Sequence, residues 1–560
     1  MRTTGAKALV AELNSQGMHV AFGIPGGVLI PLFDELLAAE KRGDLHTILV
    51  RHEQGAAHMA DGFARASGRV GLCIATSGPG ATNLVTGIAT AYMDSVPILA
   101  LTGQVRTASI GTDAFQEADI FGITMPIVKH NYLVKSAADV PQILVNALHI
   151  ASTGRPGPVL VDLPMDVATG EFEYVAPTGP DLPGYRPTVK GNARTIRRAA
   201  EVIAQAKRPL LYLGGGVILS NASDQARQLA EKLNLPTFTT LLGKGAFPET
   251  HTLALGMAGM HGCAYANLAV AECDLLIALG ARFDDRITGN LAKFAPTAGV
   301  VHIDVDPAEI GKNVPVTVPI VGDCKSVLQD LIPLLKARAE DEWNRRCQEL
   351  KETYPLRYEH SDEVIMPQLV VEQLYRATKG DAIVVTGVGQ HQMWSAQYYR
   401  CTRPRQFLSS GGLGTMGYAL PAAIGAQVAC PDALVLAIDG DGSFQMNSQE
   451  LATAVQEHLP VKVAILNNGY LGMVRQWQDM FYDKRYSGVD LAASPDFVKL
   501  AEAYGAVGLR AERPEEVPEV IEKALKVEDR PCVMDFRVAR EANVMPMIPA
   551  GKSVDEMRIE

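Results

Sequence analysis

The chain reads as an α/β protein of three consecutive open, mostly parallel sheets, and three observations carry that reading. Its 560 residues exceed what one hydrophobic core serves and suit about three units of ordinary domain size. Short apolar runs alternate with helix-like stretches along most of the chain, the rhythm of parallel strands joined by crossover helices. Two stretches interrupt that rhythm, one rich in Pro and Gly and one strongly charged, and they divide the chain in three.

Taken in order, residues 1–167 carry the runs HVAFGI, HTILVRHE, VGLCIATS, PILALTG and GPVLVDLP. Residues 168–190 have no amphipathic period and are expected to be a linker along the surface. A second α/β unit over 191–335 contains RPLLYLGGGV, LPTFTTLLGKGAF, CDLLIALGARF and GVVHIDVDP, each a strand followed by Gly or a polar turn; this predicts a Rossmann-like middle domain. Residues 336–365, with KARAEDEWNRRCQELKETYP, read as an exposed helix and linker. DAIVVTGVG, LVLAIDGDGS, VKVAILNNG and PCVMDFRV then give a third unit over 366–545, with a tail, 546–560, after it. No short-period repeat is visible, although the first and third units could be diverged copies of one fold.

Composition excludes several classes. The formal net charge of −11 is spread along the chain with no Lys/Arg block, so no nucleic-acid partner is expected. Apolar runs such as 96–101 and 433–438 are far short of a bilayer span, so no membrane is expected either. The eight cysteines are scattered without CxxC pairs, which argues against a zinc knuckle or a disulfide framework. The amphipathic N-terminus lacks a signal peptide's apolar core, and the expectation is a cytoplasmic enzyme.

The sharpest chemical signal is Gly440-Asp441-Gly442-Ser443 at the end of an apolar strand, with Asn467-Asn468 ending the next strand. Ligands of open parallel sheets gather at the carboxyl ends of strands. An Asp and an Asn there offer hard oxygen ligands suited to Mg²⁺ on a diphosphate. The glycines admit backbone N–H groups to phosphate oxygens, and the helix start at Ser443 adds its dipole. An Asp-Gly turn alone is commonplace; GDGS followed by NN, with Asp441 and Asn468 both at strand ends, is far more specific. In the first unit, Glu53 of RHEQGAA comes just after the strand HTILV. On its own it would be an ordinary first-turn carboxylate.

The GDGS…NN pattern resembles the thiamine-diphosphate fingerprint. Across nearly the whole chain, further motifs resemble the acetohydroxyacid synthase catalytic subunits. In the first unit these are FGIPGG (22–27, including Gly26), RHEQGAAHMADGFAR, TSGPGATNL (76–84), GTDAFQEAD (111–119) and TGRPGPVLVDLP. The middle unit adds GMHG, GARFDDR (280–286) and HIDVDPAEIGKN, and the third GVGQHQMW (387–394), SSGGLGTMGYALPAAIGA and LGMVRQWQ (471–478). The resemblance implies the thiamine-diphosphate-binding fold, and Mg²⁺ held by Asp441, Asn468 and the Tyr470 carbonyl. Glu53 would bond the pyrimidine ring and promote the tautomer that takes the thiazolium C2 proton. Gly26, Pro79, Asn83, Gln390, His391, Gly414, Met416, Gly440, Gly442, Ser443 and Met473 would line the cleft, with Met416 beneath the cofactor's bend and the Gly414 carbonyl on its amino group. It further implies FAD along Gly214, Gly215, Gly216, Thr240, Leu241, Met260, His261, Gly280, Arg282, Asp284, Arg286, Asp304, Gly322 and Asp323, with Arg155 reaching it from the first unit. Glycine-rich strand ends by themselves say only dinucleotide or nothing.

The activity implied is decarboxylation of pyruvate and transfer of the retained two-carbon unit to a second pyruvate or to 2-ketobutyrate, in branched-chain amino-acid biosynthesis. Arg282 would clamp the acceptor carboxylate, or pair with Asp284 or Asp285. Trp477, Val474, Phe115 and Gln116, the last given a catalytic role beside Glu53, border the same space. Two positions depart from the family pattern: Met165 where Lys is usual and Arg106 where Pro is common. Glyoxylate carboligase has Val at the position of Glu53, and pyruvate-type decarboxylases carry a His-His pair that this chain lacks. Pyruvate oxidase is separated only by the density of synthase motifs. A non-catalytic nucleotide-binding subunit would have no need of Glu53, Asp441 and Asn468 together. Because Glu53 and Asp441 lie in different units, one cofactor must bridge two of them; relatives do this between subunits, which implies a homodimer or homotetramer. Relatives also bind a small regulatory subunit.

Overall fold

The computed structural model describes residues 2–559. They form three six-stranded sheets whose pairings are all parallel. A small antiparallel pair, Arg2–Thr4 with Glu171–Glu173, ties the start of the chain to the segment after the first sheet. The strands IVVT, VLAIDG and KVAILN are buried along their whole length; β-branched runs without alternation are what a sheet covered on both faces requires.

In chain order the first sheet contains Val20–Gly23, His46–Leu49, Gly71–Ala75, Ile98–Gln104, His130–Leu133 and Val159–Pro164, laid side by side as second, first, third, fourth, sixth, fifth. The last sheet contains Ile383–Thr386, Phe407–Ser409, Val435–Gly440, Lys462–Asn467, Val507–Ala511 and Cys532–Arg537 in that same order. The two outer units therefore share one topology, which strengthens the reading of diverged copies. The middle sheet, built from Pro209–Leu213, Thr237–Thr239, Ala254–Met257, Leu275–Leu279, Gly299–Asp304 and Val318–Val321, runs third, second, first, fourth, fifth, sixth. That is the doubly wound dinucleotide-binding order.

Five strands that the apolar runs do not announce, His130–Leu133, Ala254–Met257, Val318–Val321, Phe407–Ser409 and Val507–Ala511, all lie at sheet edges. An edge strand has one neighbour, so it is short or carries polar residues, and its run is weaker. The expected exposed helix does form, as Glu342–Thr353, but it is docked rather than free. Trp343, Cys347 and Leu350 are buried, and Trp343 Nε1 donates to the Pro209 carbonyl at 3.0 Å.

The outer units are joined by helix Glu53–Ser67 lying against Ala419–Ala429. The approach is close: a Cβ on Gly62 would fall 2.0 Å from the Ala422 carbonyl oxygen, and one on Gly425 would fall 1.9 Å from that of Met59. The segment ALPAAIGAQVA is apolar on every face and buried nearly throughout, as expected of a helix at the centre of a molecule.

Candidate active site

In each sheet the strand order reverses beside the first strand, and the loops leaving the carboxyl ends part there to form a crevice. In the third unit that crevice lies between Ile383–Thr386 and Val435–Gly440. Asp441 opens a short helix directly off the second of these strands and is buried. Register sets Gly440 opposite Leu466, so Asp441 and Asn468 leave adjacent strand ends. Asn468 Oδ1 accepts from the Tyr470 N–H at 3.0 Å and its Nδ2 donates to Gln390 Oε1 at 3.1 Å. Gln390 Nε2 donates to Gln476 Oε1 and to the Ala542 carbonyl, both at 2.8 Å. A Cβ on Gly472 would sit 2.1 Å from Gln390 Oε1, and one on Gly440 2.7 Å from His391 Nδ1. Ser443 Oγ accepts from the Gly417 N–H at 3.0 Å. Gly414 has φ +74° and is exposed, Met416 is half-buried with its Cε reaching toward Gly442, and Met473 is half-buried nearby.

The side chains of this crevice could hold a cation and an anion. Asp441 Oδ2 and Asp439 Oδ2 are buried without a hydrogen-bond partner, and His391 Nε2 makes only a long approach of 3.4 Å to Asp439 Oδ1; such atoms mark a site completed by something else. Burial pushes the Asp441 carboxyl up to about 7, the signature of a carboxylate set in a dry place without its counter-charge. Among the described residues no cluster of three or more His, Cys, Asp or Glu could cage a metal alone. Mg²⁺ needs no such cage, since phosphate and water oxygens complete its shell.

In the first unit Glu53 is the first residue of its helix and is buried, with 8 % exposure. Its Oε2 accepts from Asn83 Nδ2 at 2.9 Å, and a Cβ on Gly80 would lie 3.2 Å from Oε1. Glu450, from the third unit, caps the turn before it, accepting from the N–H groups of Arg51 and His52 at 2.9–3.2 Å. Gly26 abuts Thr76, whose Oγ1 is buried and unpartnered. Pro79 and Asn83 are exposed at the crevice mouth. Gln116 has φ +59°, with its backbone against Gly78, while Phe115 projects into solvent.

The predicted residues of the middle unit lie at the carboxyl ends of its six strands, and glycines crowd its switch point. Gly214 and Gly216, after the first strand, press on Gly280 after the fourth: a Cβ on Gly214 would lie 2.0 Å from the Gly280 carbonyl oxygen. A Cβ on Gly215 would lie 3.3 Å from Leu242 Cβ, in the turn Leu241–Gly243 that Thr240 caps through the Gly243 N–H. Met260 takes its N–H to the Arg286 carbonyl at 2.7 Å, and burial beside Arg286 pushes the His261 imidazole down to about 4. Asp304 is buried, its carboxyl pushed up to about 6, beside the Arg155 cluster. There Arg155 meets Glu309 at 2.7 Å, Asp306 at 3.1 Å and Ser95 at 2.8 Å. Asp323 caps helix Cys324–Leu331, with Gly322 packed against Gly191. Arg282 makes only a loose pair with Asp284, at 3.8 Å. Arg286 lies over the Trp477 ring at 6.0 Å, and Val474 and Trp477 line a cavity of about 560 Å³.

Within one chain the hydrogen bonds that flank the Gly414–Met416 turn reach helix Glu53–Ser67 at Asp61 and Arg65 rather than at Glu53. Thr415 bonds Thr90, and Tyr418 bonds Asp61 beside Arg65, two to three turns along the helix from Glu53, or roughly 12–18 Å at 1.5 Å per residue. Sequence reading assigns no role to Thr76, Gly80, Gly472, Asp439 or Glu450. The first four lie inside quoted motifs, which is the signal that could have found them, whereas Glu450 has none.

The description "Thiamine pyrophosphate enzyme, N-terminal TPP binding domain" matches residues 3–123, the corresponding central domain 196–331, and the "C-terminal TPP binding domain" 387–536. An acetolactate synthase of Mycobacterium bovis is 54% identical, covering 99% of this chain and 91% of its own length. The acetolactate synthase large subunit of Corynebacterium glutamicum is 52% identical over 100% and 90%. The isozyme 3 large subunit of Escherichia coli is 47% identical over 99% and 98%. With the strand-end crevices and these matches, the chain belongs to the thiamine pyrophosphate enzymes, as a member of the acetolactate synthase large-subunit family.

Proposed function

We propose that each active site of this acetolactate synthase is assembled from two copies of the chain, the first unit of one facing the third unit of the other. The carrying observation is that the residues flanking the Gly414–Met416 turn bond helix Glu53–Ser67 at Asp61 and Arg65, two to three turns from Glu53. A single pyrimidine ring is only a few ångströms across, so the residues that must grasp it come from different copies. Exposed Leu413 and Met446, 44% and 53% accessible, give the rim an apolar surface for a partner to cover. A homodimer or a dimer of dimers meets this need.

Asp441, Asn468 and the Tyr470 carbonyl would hold Mg²⁺, with Gly440, Gly442, Ser443, Gln390 and His391 around the diphosphate. When bound, thiamine diphosphate supplies the electron sink for pyruvate decarboxylation. Glu53, steadied on Oε2 by Asn83, would exchange a proton with the cofactor through Oε1. Met416 and Met473 would exclude water with their apolar bodies, which strengthens every electrostatic contact in the cleft. Trp477 and Val474 would bound the acceptor pocket, and discrimination there between pyruvate and 2-ketobutyrate is worth about 1–3 kcal/mol per methylene. Arg282, only loosely paired, is available to the acceptor carboxylate.

FAD would lie in the middle crevice. The strand order, the glycines meeting at its switch point and the unpartnered buried atoms Thr239 Oγ1 and His261 Nε2 support this. Arg155 would act there through Asp306 and Glu309 rather than as a free cation. Several relatives carry "large subunit" in their names, which supports a small partner subunit for this chain as well. A cytoplasmic location is part of the proposal; among the described residues no helix is long and apolar enough to cross a membrane.

The test is product analysis with pyruvate, thiamine diphosphate, Mg²⁺ and FAD, with 2-ketobutyrate in a parallel reaction. Acetolactate and acetohydroxybutyrate are the expected products. Acetaldehyde alone, or acetyl phosphate with peroxide, would overturn the synthase reading while leaving the cofactor site.

A further inference from the structure

Asp94 ends the helix Val85–Met93 of the first unit, and its side chain is fully buried. Its Oδ1 accepts from the Gly412 N–H at 2.7 Å, and its Oδ2 accepts from the Gly411 N–H at 3.0 Å and from Arg65 Nη2 at 2.8 Å. Arg65 is held in turn: its Nε donates to Asp61 Oδ1 at 2.6 Å and its Nη1 to the Ser409 carbonyl at 3.0 Å. Asp61 also accepts from the Tyr418 hydroxyl at 2.5 Å, and Thr90 shares a hydrogen bond of 2.7 Å with Thr415. The first unit thus grips this stretch of the third unit on both flanks, at 409–412 and at 415–418. Leu413 and Gly414 project between the grips and are exposed.

We propose that Asp94, fixed by Arg65, is a positioning residue that sets the turn at 411–416 and so delivers Gly414 and Met416 to the cofactor cleft. The proposal rests on the two-chain site proposed for this enzyme. Chemistry explains the residue type. Two neighbouring backbone N–H groups and a guanidinium need two acceptor oxygens in a dry space, which only a carboxylate of this length supplies. An Asn keeps one acceptor and turns an NH₂ toward a donor, so one glycine N–H is left unpartnered and the turn loosens. Gly412 is also sterically committed, since a Cβ there would lie 2.7 Å from Asp94 Oδ1. Helix Glu53–Ser67 therefore serves two sites of the assembly. It carries at its first residue the carboxylate for one active site and, roughly 18 Å further along, the arginine that orders the site built on its own chain's third unit.

Differentially tagged, full-length holoenzyme heterodimers test this. A Glu53→Gln chain paired with an Asp441→Ala chain checks the two-chain site, and about half of wild-type activity is expected because one site is intact. Pairing Glu53→Gln with Asp94→Asn should likewise retain about half, since both lesions fall in one site. A chain carrying Glu53→Gln and Asp94→Asn together, paired with wild type, damages both sites and should fall to about a tenth or less. The Asp94→Asn homodimer should lose about tenfold in kcat with the pyruvate KM within about twofold, as expected when a hydrogen bond that orders the site is lost without loss of substrate contacts. If the second and third pairings exchange outcomes while the first holds, Asp94 serves its own unit's crevice and the positioning proposal is overturned. If the first pairing is inactive, the two-chain site itself falls, and the proposal with it. Should Asp94→Asn not dimerise, Thr90→Val removes the other grip without a change of charge and must give the same pairing pattern with a smaller loss; the opposite pattern would overturn the proposal.

Discussion

The two outer units are one topology used for two purposes. Each opens a crevice between its first and third strands, each places a glycine-rich turn there, and in each a glycine sits hard against a residue that follows the neighbouring strand, Gly26 on Thr76 and Gly440 on His391. The difference lies in the polar side chains set around those turns. The first unit sets a single carboxylate, Glu53, on a helix start with Asn83 beside it. The third sets Asp441 and Asn468 on adjacent strand ends with several unpartnered buried atoms around them. On the function proposed above, one crevice would hold a proton and the other a metal and a diphosphate. Fold therefore leaves the chemistry open, and a few side chains at strand ends decide it.

Replacing the proton-holding carboxylate should separate the two purposes most sharply. Glu53→Gln is expected to lower kcat by about 10²–10⁴-fold, while thiamine diphosphate and Mg²⁺ still bind by calorimetry. Weakened cofactor binding in that variant would place Glu53 with the anchoring half. Asp441→Ala should do the converse, weakening Mg²⁺-dependent cofactor binding by roughly 100-fold or more, with partial recovery of activity at high Mg²⁺.

The seam between the units gives smaller effects. Gly62→Ala forces a methyl group into the Ala422 carbonyl and should destabilise by about 1–3 kcal/mol, seen as a lower melting temperature; an unchanged value would mean that the helices can part without cost. The smallest effect belongs to His46, which meets Glu457 of the third unit and Glu40 of its own, each at 2.7 Å. Its hydrogen bond to Glu457, assisted by Glu40 and opposed by partial burial, raises it from 6.5 to about 9. A group raised on folding stabilises fully below its unfolded value and loses that contribution as pH rises through the folded one. Melting temperature should therefore fall slightly between about pH 6.5 and 9, and His46→Gln should flatten that slope.

Burial also governs how much of the fold is legible in the sequence. Central strands such as Val435–Gly440 and Lys462–Asn467 are buried on both faces and announce themselves as unbroken apolar runs. Edge strands such as His130–Leu133 and Val507–Ala511 mix polar residues and do not. Helix Glu342–Thr353 reads as exposed because most of its residues are charged or polar, yet Trp343, Cys347 and Leu350 form a narrow apolar stripe sufficient to dock it. Site residues within compact motifs, Asp441, Asn468 and Glu53 among them, are legible as strand-end chemistry or by family resemblance. Asp94, Arg65 and Glu450 are not, because each acts on backbone groups more than 300 positions away, and nothing local distinguishes such an acid or arginine from a solvated one.

By itself the sequence determined the three α/β units and singled out the strand-end residues proposed for the metal and diphosphate, since these rest on periodicity and on residues close together in the chain; the carboxylate proposed to react was legible through family resemblance. Tertiary structure alone decided that the outer units share one strand order, that their helices touch through Gly62 and Gly425, and that Glu53 stands two to three turns from the Gly414 segment of its own chain. Those features arise from packing between residues distant in sequence, and a helix's fixed rise per residue turns that packing into the separation on which the proposed two-chain site rests.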